Sequence, residues 1–135
     1  MNYSRILIDH FRHPRNVGMM RNPDGVGEGV FEECGDVARF YLRVADRRVT
    51  EVRFQTYGCG PTIAAASVGS ELATGSDVER VLSLSASDVE AALDGLPEER
   101  RHAADLVAEG LRAAALDYLR PGGAPVETKG GMQHV

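Results

Sequence analysis

The feature that most constrains this chain is a change in the spacing of its apolar residues after residue 57. Before that point, segments 26–32, 37–45 and 49–57 have the character of strands, and the second alternates cleanly, with Phe40 and Leu42 on one side. Alternation with a period of two is typical of strands with one buried face. The three segments therefore predict an antiparallel sheet that is covered on one side.

The rest of the chain has helical spacing. Predicted helices cover about 3–11, 63–72, 78–82, 89–93 and 97–120. The segment 46–48 joins the second and third strands as a tight hairpin. These elements predict an α+β fold with a three-stranded antiparallel sheet, helices packed on one face, an N-terminal helix and a long C-terminal helix. We assign 1–120 to one domain and expect 121–135, which begin Pro-Gly-Gly, to form a disordered tail.

Composition excludes two classes of partner. The chain has a formal net charge of -5. This acidic balance argues against nucleic-acid binding, which requires a basic surface. No apolar run is long enough to span a bilayer, so we expect no membrane partner.

The N-terminus also lacks the apolar run of a secretory signal, which predicts a cytoplasmic protein. In a reducing compartment the two cysteines are expected to be thiols or ligands rather than a disulfide.

Four residues are candidates for one metal or iron–sulfur site: Cys34, Asp36, Cys59 and His102. Side chains two apart on a strand share a face, so Cys34 and Asp36 are expected on the helix-covered side. Cys59 precedes the small-residue helix, whose dipole favours a thiolate. His102, early in the last helix, can turn toward the same end of the sheet. Thiolate, imidazole and carboxylate together suit Zn(II), or iron with bridging sulfide.

Each candidate also has an ordinary structural interpretation. A cysteine in a cytosolic protein is commonly a small buried apolar residue, and His102 at a charged helix start can be solvated or capping. Asp36 can simply cap the turn before its strand. A cysteine and a histidine also occur in thiol hydrolases, although no nucleophile signature of such enzymes is present. On residue types and spacing alone, these alternatives stay open.

Two further histidines, His10 and His13, lie close to Arg12 and Arg15 near the end of the first predicted helix. We expect both to be exposed there and to take no part in a site.

Several short motifs occur together along the chain. They are Tyr3-Ser4, Ile8-Asp9-His10, Pro14-Arg15-Asn16-Val17-Gly18, Cys34-Gly35-Asp36-Val37 and Phe54-Gln55-Thr56-Tyr57-Gly58-Cys59-Gly60. Through them the chain resembles the IscU/NifU-N family of iron–sulfur cluster scaffold proteins, from about residue 2 to residue 120.

The resemblance implies a carrier rather than an enzyme. It implies that a cysteine desulfurase supplies sulfur, that a transient 2Fe–2S cluster forms on Cys34, Asp36, Cys59 and His102, and that recipient apoproteins take it up. It also implies that Asp36 keeps the cluster labile and that Zn(II) often occupies the empty site.

Two departures from the family pattern bear on this expectation. The family's third cysteine follows the histidine of the last helix, whereas here Ala103 follows His102. The family segment Leu-Pro-Pro-Val-Lys, which an Hsp70-type chaperone reads, is Leu-Pro-Glu-Glu-Arg at 96–100. The chaperone contact is therefore doubtful.

These departures leave two functional hypotheses and a minor third. The first is an atypical cluster scaffold that uses two cysteines. The alternative is a divergent zinc-binding paralogue that binds a desulfurase as a sulfur acceptor or regulatory module. An independent thiol enzyme is the third.

Overall fold

A computed structural model describes residues 3–120, so the predicted tail at 121–135 lies outside the described residues. Its elements are α1 (Arg5–Arg12), β1 (Gly25–Phe31), β2 (Asp36–Ala45), β3 (Arg48–Tyr57), α2 (Gly60–Ala73), α3 (Val78–Leu82), α4 (Ala86–Ala92) and α5 (His102–Leu119). A short 3-10 turn, Glu98–Arg100, precedes α5. The predicted α+β class is confirmed.

The three strands form one antiparallel sheet in the order β1-β2-β3. The predicted hairpin is present, and its two central residues, Asp46 and Arg47, have φ values of 52° and 62°. Positive φ at both positions is the geometry whose twist matches that of the flanking strands. The hairpin sets the pairing of Ala45 with Arg48, and the register then shifts by one residue between Arg43 and Val44, so that Phe40 faces Phe54.

The helices cover one face of this sheet, as predicted. α5 packs on β1 and β2, α2 packs on β3, and α1 packs on α2. Phe40, Leu42, Val52 and Phe54 are almost fully buried between the layers, and such apolar burial is the main stabilising contribution in folding. Within 3–120, no helix has the length and apolar character needed to cross a membrane.

The close approach of α5 to β1 depends on alternating glycines in the strand. A Cβ on Gly25, Gly27 or Gly29 would lie 2.3, 2.2 or 1.7 Å from backbone atoms of α5. Side chains larger than hydrogen on this face would therefore hold the helix away from the strand. The glycines bring the start of α5 to the end of the sheet where the site lies.

The other face of the sheet is less open than its alternating pattern predicts. Arg39 and Tyr41 are 8% and 5% exposed. The Arg39 guanidinium lies 3.6 Å from a carboxylate oxygen of Glu28 and 5.4 Å from the centre of the Tyr41 ring, while Tyr41 donates a hydrogen bond to Gln55. Side chains from the two outer strands thus cover the middle strand.

Candidate functional site

The candidate site lies at the end of the sheet where β1 and β3 finish and β2 begins. Phe31 pairs with Asp36, and Val37 pairs with Tyr57. Because the strands are antiparallel, this register brings the end of β1, the start of β2 and the end of β3 to one edge. The connection from β3 into α2 and the start of α5 meet there.

Asp36 is the centre of the observed contacts. It is 5% exposed and faces the helices, as predicted. Thr62, in the first turn of α2, donates a hydrogen bond of 2.9 Å to its Oδ2 atom. His102 Nε2 lies 3.1 Å from the same oxygen. Two donors thus stabilise this buried carboxylate, since a buried charge without partners is costly.

His102 is held from a second side by an aromatic ring. It is the first residue of α5, and its ring stacks on Phe31 with a centroid distance of 4.3 Å and an interplanar angle of 20°. Its side chain is 12% exposed. The interpretation of His102 as a solvated residue is therefore wrong, and the expectation that it turns toward the sheet end is confirmed.

Cys59 is the N-cap residue of α2, with Pro61 in the first turn of the helix. Its Sγ lies 3.4 Å from Thr62 Oγ1, which links it to Asp36. Cys59 also borders a cavity of about 420 Å³. The walls of this cavity are mostly apolar and come largely from α1 and the start of α2. Two of the residues that line it, Arg12 and Arg100, are basic, and the others besides Cys59 are Tyr3, Leu7, Ile8, Phe11, Gly60 and Pro61.

A cation lies close to Cys59. A hydrogen bond with Tyr3 and the charge of Cys59 raise the pKa of Arg100 above its ordinary value. Arg100 belongs to the 3-10 turn before α5, at the position where the resembling family has lysine. The turn therefore brings a positive charge close to Cys59.

Cys34 is separate from this set of contacts. It lies in the exposed turn between β1 and β2, followed by Gly35 with a φ of 72°. Within the described part of the chain, no group of three or more His, Cys, Asp or Glu side chains is arranged to hold a metal ion. Both cysteines are free. The four-ligand set of Cys34, Asp36, Cys59 and His102 therefore stays a prediction.

Ala103, where the family pattern has cysteine, is fully buried. It lies on α5 directly after His102 and belongs to the core between α5 and the sheet. Ala103 therefore packs inside the protein.

The expectation that His10 is exposed is wrong. It is 5% exposed, its Nδ1 atom lies 2.7 Å from Ser67 Oγ, and its Nε2 atom lies 3.4 Å from Glu71. Burial, with the nearby Arg15 charge, lowers the pKa of His10 below its ordinary value. His10 therefore links α1 to α2 through its contacts with Ser67 and Glu71. His13 is exposed as predicted.

Two residues of the site were missed by sequence reasoning. Thr62 and Phe31 contact His102, Asp36 or Cys59 directly. For Thr62 a signal existed, because a threonine three residues after Cys59 in a new helix lies one turn from the N-cap. For Phe31 there was none, since its partner His102 is 71 residues away and only the β1–α5 packing brings them together.

The fold and the contacts define a class of small α+β protein in which thiol, carboxylate and imidazole groups meet at one end of a three-stranded sheet. Residues 2–123 match the family described as NifU-like N terminal domain, and the chain belongs to this family. The resemblance noted from the motifs is confirmed.

Two relatives agree with this assignment, and one solved structure shares the fold. Iron-sulfur cluster assembly scaffold protein IscU 1 of Archaeoglobus fulgidus is 41% identical over 121 residues, which are 90% of this chain and 79% of that protein. The scaffold protein IscU of Escherichia coli K12 is 37% identical over 122 residues, 87% of this chain and 94% of that one. A structure from Fervidobacterium islandicum, assigned to cluster scaffolding for the SUF system, has a TM-score of 0.64 at 19% identity, covering 84% of this chain and 96% of that one.

Proposed function

We propose that this chain is a scaffold for the assembly of iron–sulfur clusters, which holds a cluster transiently and passes it to recipient proteins. The observation that carries the proposal is the 41% identity to a named scaffold protein over most of the chain. The meeting of Asp36, His102 and Cys59 at one end of the sheet supports it. Thiolate and imidazole groups are the ligands that iron–sulfur centres use in proteins.

We infer that the cargo is a 2Fe–2S cluster held by Cys34, Asp36, Cys59 and His102. Two thiolates, one imidazole and one carboxylate supply four ligands of mixed softness. Nitrogen and oxygen ligands in place of thiolates weaken the hold on the cluster, which suits a transient carrier. The exposed Cys34 turn gives the cluster a way in and out. Zn(II) suits the same four groups when no cluster is bound.

We infer that a cysteine desulfurase supplies the sulfur and that Cys59 accepts it. Ala103 carries no thiol and is buried. Cys59 borders an open cavity with Arg100 at its side, and sulfur transfer depends on the thiolate fraction of the attacking cysteine and on access to it. The doubtful Hsp70-type chaperone contact and the cytoplasmic location stay predictions from the sequence.

Anaerobic reconstitution tests the proposal. Incubation of the full chain with ferrous iron, cysteine, a desulfurase and the thiol reductant dithiothreitol, which reduces the transferred persulfide sulfur to sulfide, should give sulfide-to-iron charge-transfer absorption and acid-labile sulfide. The variant Cys59→Ser should abolish both, whereas Ser87→Ala, on the exposed surface of α4, should behave as the unmodified chain. A colourless unmodified chain under these conditions would contradict the proposed function.

The alternative of a zinc-binding paralogue that regulates a desulfurase is not favoured, because relatives that match most of this chain are named scaffold proteins. The same names agree with a carrier rather than an enzyme.

A further inference from the structure

The sheet has two edges, and they differ in what they contact. Along β3 the edge is paired with backbone groups: Phe54 N donates a hydrogen bond of 2.9 Å to Asn16 O, and Gly18 N donates one of 2.8 Å to Phe54 O. Within residues 3–120, β1 pairs with β2 alone. A strand edge without a backbone partner is a surface to which a strand of another chain can add.

The polar backbone groups on the free edge of β1 belong to alternate residues. β1 pairs with β2 in one unbroken register from Gly25 to Phe31. Along a strand of an antiparallel pair, the backbone N–H groups of successive residues point alternately toward the partner strand and away from it. Val26, Glu28 and Val30 therefore direct their N–H groups away from β2 and toward the free edge.

Two carboxylates of α5 occupy this edge. Asp117 Oδ2 accepts a hydrogen bond of 2.9 Å from Val26 N, and Glu109 Oε1 accepts one of 3.4 Å from Val30 N. The spacing on the two elements matches, because eight residues of helix span about 12 Å and four residues of strand span about 13 Å. The two acids therefore follow the edge of β1 along its length.

A second copy of this chain would present the same edge. Two antiparallel β1 edges are complementary in their N–H and C=O groups, and such an interface is isologous, so each copy contributes the same side chains. Four carboxylates would then lie along one interface, and each would have to release the N–H group that it now accepts from. A charge that loses both water and its hydrogen-bond donor is costly. Charged side chains at sheet edges commonly prevent this kind of pairing.

We propose that Glu109 and Asp117 close the free edge of β1 to the β1 edge of a second copy and so prevent two chains from joining into one continuous sheet. β1 ends at Phe31, whose ring stacks on His102. A second copy paired along this edge would lie beside the candidate site, and the two carboxylates keep that end of the sheet clear of it. This role does not depend on the cargo that the site holds.

Removal of the two acceptors tests the proposal. Glu109→Ala and Asp105→Ala are a matched pair, because both residues are exposed on α5, one turn apart, and each substitution removes one negative charge. The double variant Glu109→Ala/Asp117→Ala removes both acceptors. Analytical ultracentrifugation at rising protein concentration, with a thiol reductant present, measures association. We expect the double variant to dimerise at concentrations at least about tenfold lower than the unmodified chain, Glu109→Ala to show a smaller change, and Asp105→Ala to show none.

Hydrogen exchange at the Glu28 amide, followed by NMR, locates the contact. Glu109 and Asp117 accept from Val30 and Val26, so slower exchange at Glu28 reports an added strand rather than the two carboxylates. We expect exchange at Glu28 to slow as the concentration of the double variant rises and to be independent of concentration in the unmodified chain. The Asp117 side chain is only 5% exposed. If the double variant does not fold, Glu109→Ala/Asp117→Asn removes both charges and keeps the volume at 117.

Four results would overturn the proposal. The first is a folded double variant that associates no more than the unmodified chain. The second is equal association of Asp105→Ala and Glu109→Ala, which would assign the effect to net charge. The third is association of the double variant without slower exchange at Glu28, which would place the contact elsewhere. The fourth is concentration-dependent slowing at Glu28 in the unmodified chain, because the edge would then already be open.

Discussion

Replacing Gly29 with alanine should separate α5 from β1 and disturb the site at the same time. The added Cβ would lie 1.7 Å from the Leu106 carbonyl oxygen, and real Cβ contacts essentially never fall below 3.0 Å. Strand and helix must therefore part by at least about 1.3 Å, the difference between these two distances. The obstacle is backbone, so no side chain can swing aside to relieve it.

The displacement reaches His102, which lies one helical turn before Leu106 on α5. Its Nε2 atom is 3.1 Å from Asp36 Oδ2, and a hydrogen bond at 3.6 Å or more is no longer one. A shift of this size exceeds that margin. We therefore expect Gly29→Ala to lengthen or break the contact between His102 and Asp36 as well as to destabilise the fold.

The expected loss of stability follows from two opposing effects. Overpacking costs about 1–3 kcal/mol, and the smaller chain entropy of unfolded alanine offsets about 0.4–1 kcal/mol of it. The net decrease in the free energy of unfolding is at most about 2.6 kcal/mol, and the midpoints of the two ranges give about 1.3 kcal/mol, which should lower Tm by roughly 4–7 °C for a domain of this size. Thermal unfolding followed by circular dichroism measures it, and proton NMR of the His102 ring reports its stacking on Phe31.

Gly110→Ala is the matched comparison on the opposite side of the same contact. Its Cβ would lie 2.9 Å from a Phe40 ring carbon and 3.0 Å from Gly29 N, a milder overlap, and alanine is favoured over glycine in a helix by about 1 kcal/mol. We expect a smaller decrease in Tm than for Gly29→Ala. An unchanged Tm in Gly29→Ala, or a lower Tm with an unchanged His102 signal, would refute the reasoning.

Three further outcomes can be checked independently. Burial lowers the pKa of His10, so its contribution to stability is present above the unfolded pKa of about 6.5 and is lost as pH falls through the lower folded pKa. When unfolding by denaturant is measured from pH 7.5 to 5, the free energy of unfolding should depend less on pH in His10→Gln than in the unmodified chain. An equal pH dependence in the two proteins would contradict this. Alkylation should be faster at Cys34 and Cys59 than at the buried thiol of Ala103→Cys, as read by mass spectrometry; rapid labelling of that third thiol would contradict the burial of this position. Ser85→Ala removes the observed capping box of α4 and should reduce the unfolding free energy by about 0.5–2 kcal/mol in urea, whereas an unchanged value would show that the cap is dispensable.

Much of the fold was accessible from local pattern. The alternation in 37–45 and 49–57 predicts strands because side chains two apart share a face, and all three strand boundaries agree with the structure to within one residue. The start of the last helix agrees less well. Its predicted beginning at Pro97 is instead a 3-10 turn, and α5 starts at His102. The glycines on β1 allow α5 to pack closely against the strand. This role is visible only in the structure, where the helix lies against them.

The candidate site divides in the same way. Residue types and motif resemblance singled out Cys34, Asp36, Cys59 and His102, because these side chains carry the chemistry that metals require. Their grouping could not be read from spacing, since Asp36 and His102 are 66 residues apart in the chain.

The sequence by itself determined the strand and helix periods, the family motifs and the absence of a thiol at Ala103. Only the tertiary structure decided that Ala103 is buried, that His10 fastens α1 to α2 and that Thr62 stands between Cys59 and Asp36. The physical reason is that periodicity reports which face of an element is buried. It does not report which distant side chains that burial brings within hydrogen-bond distance.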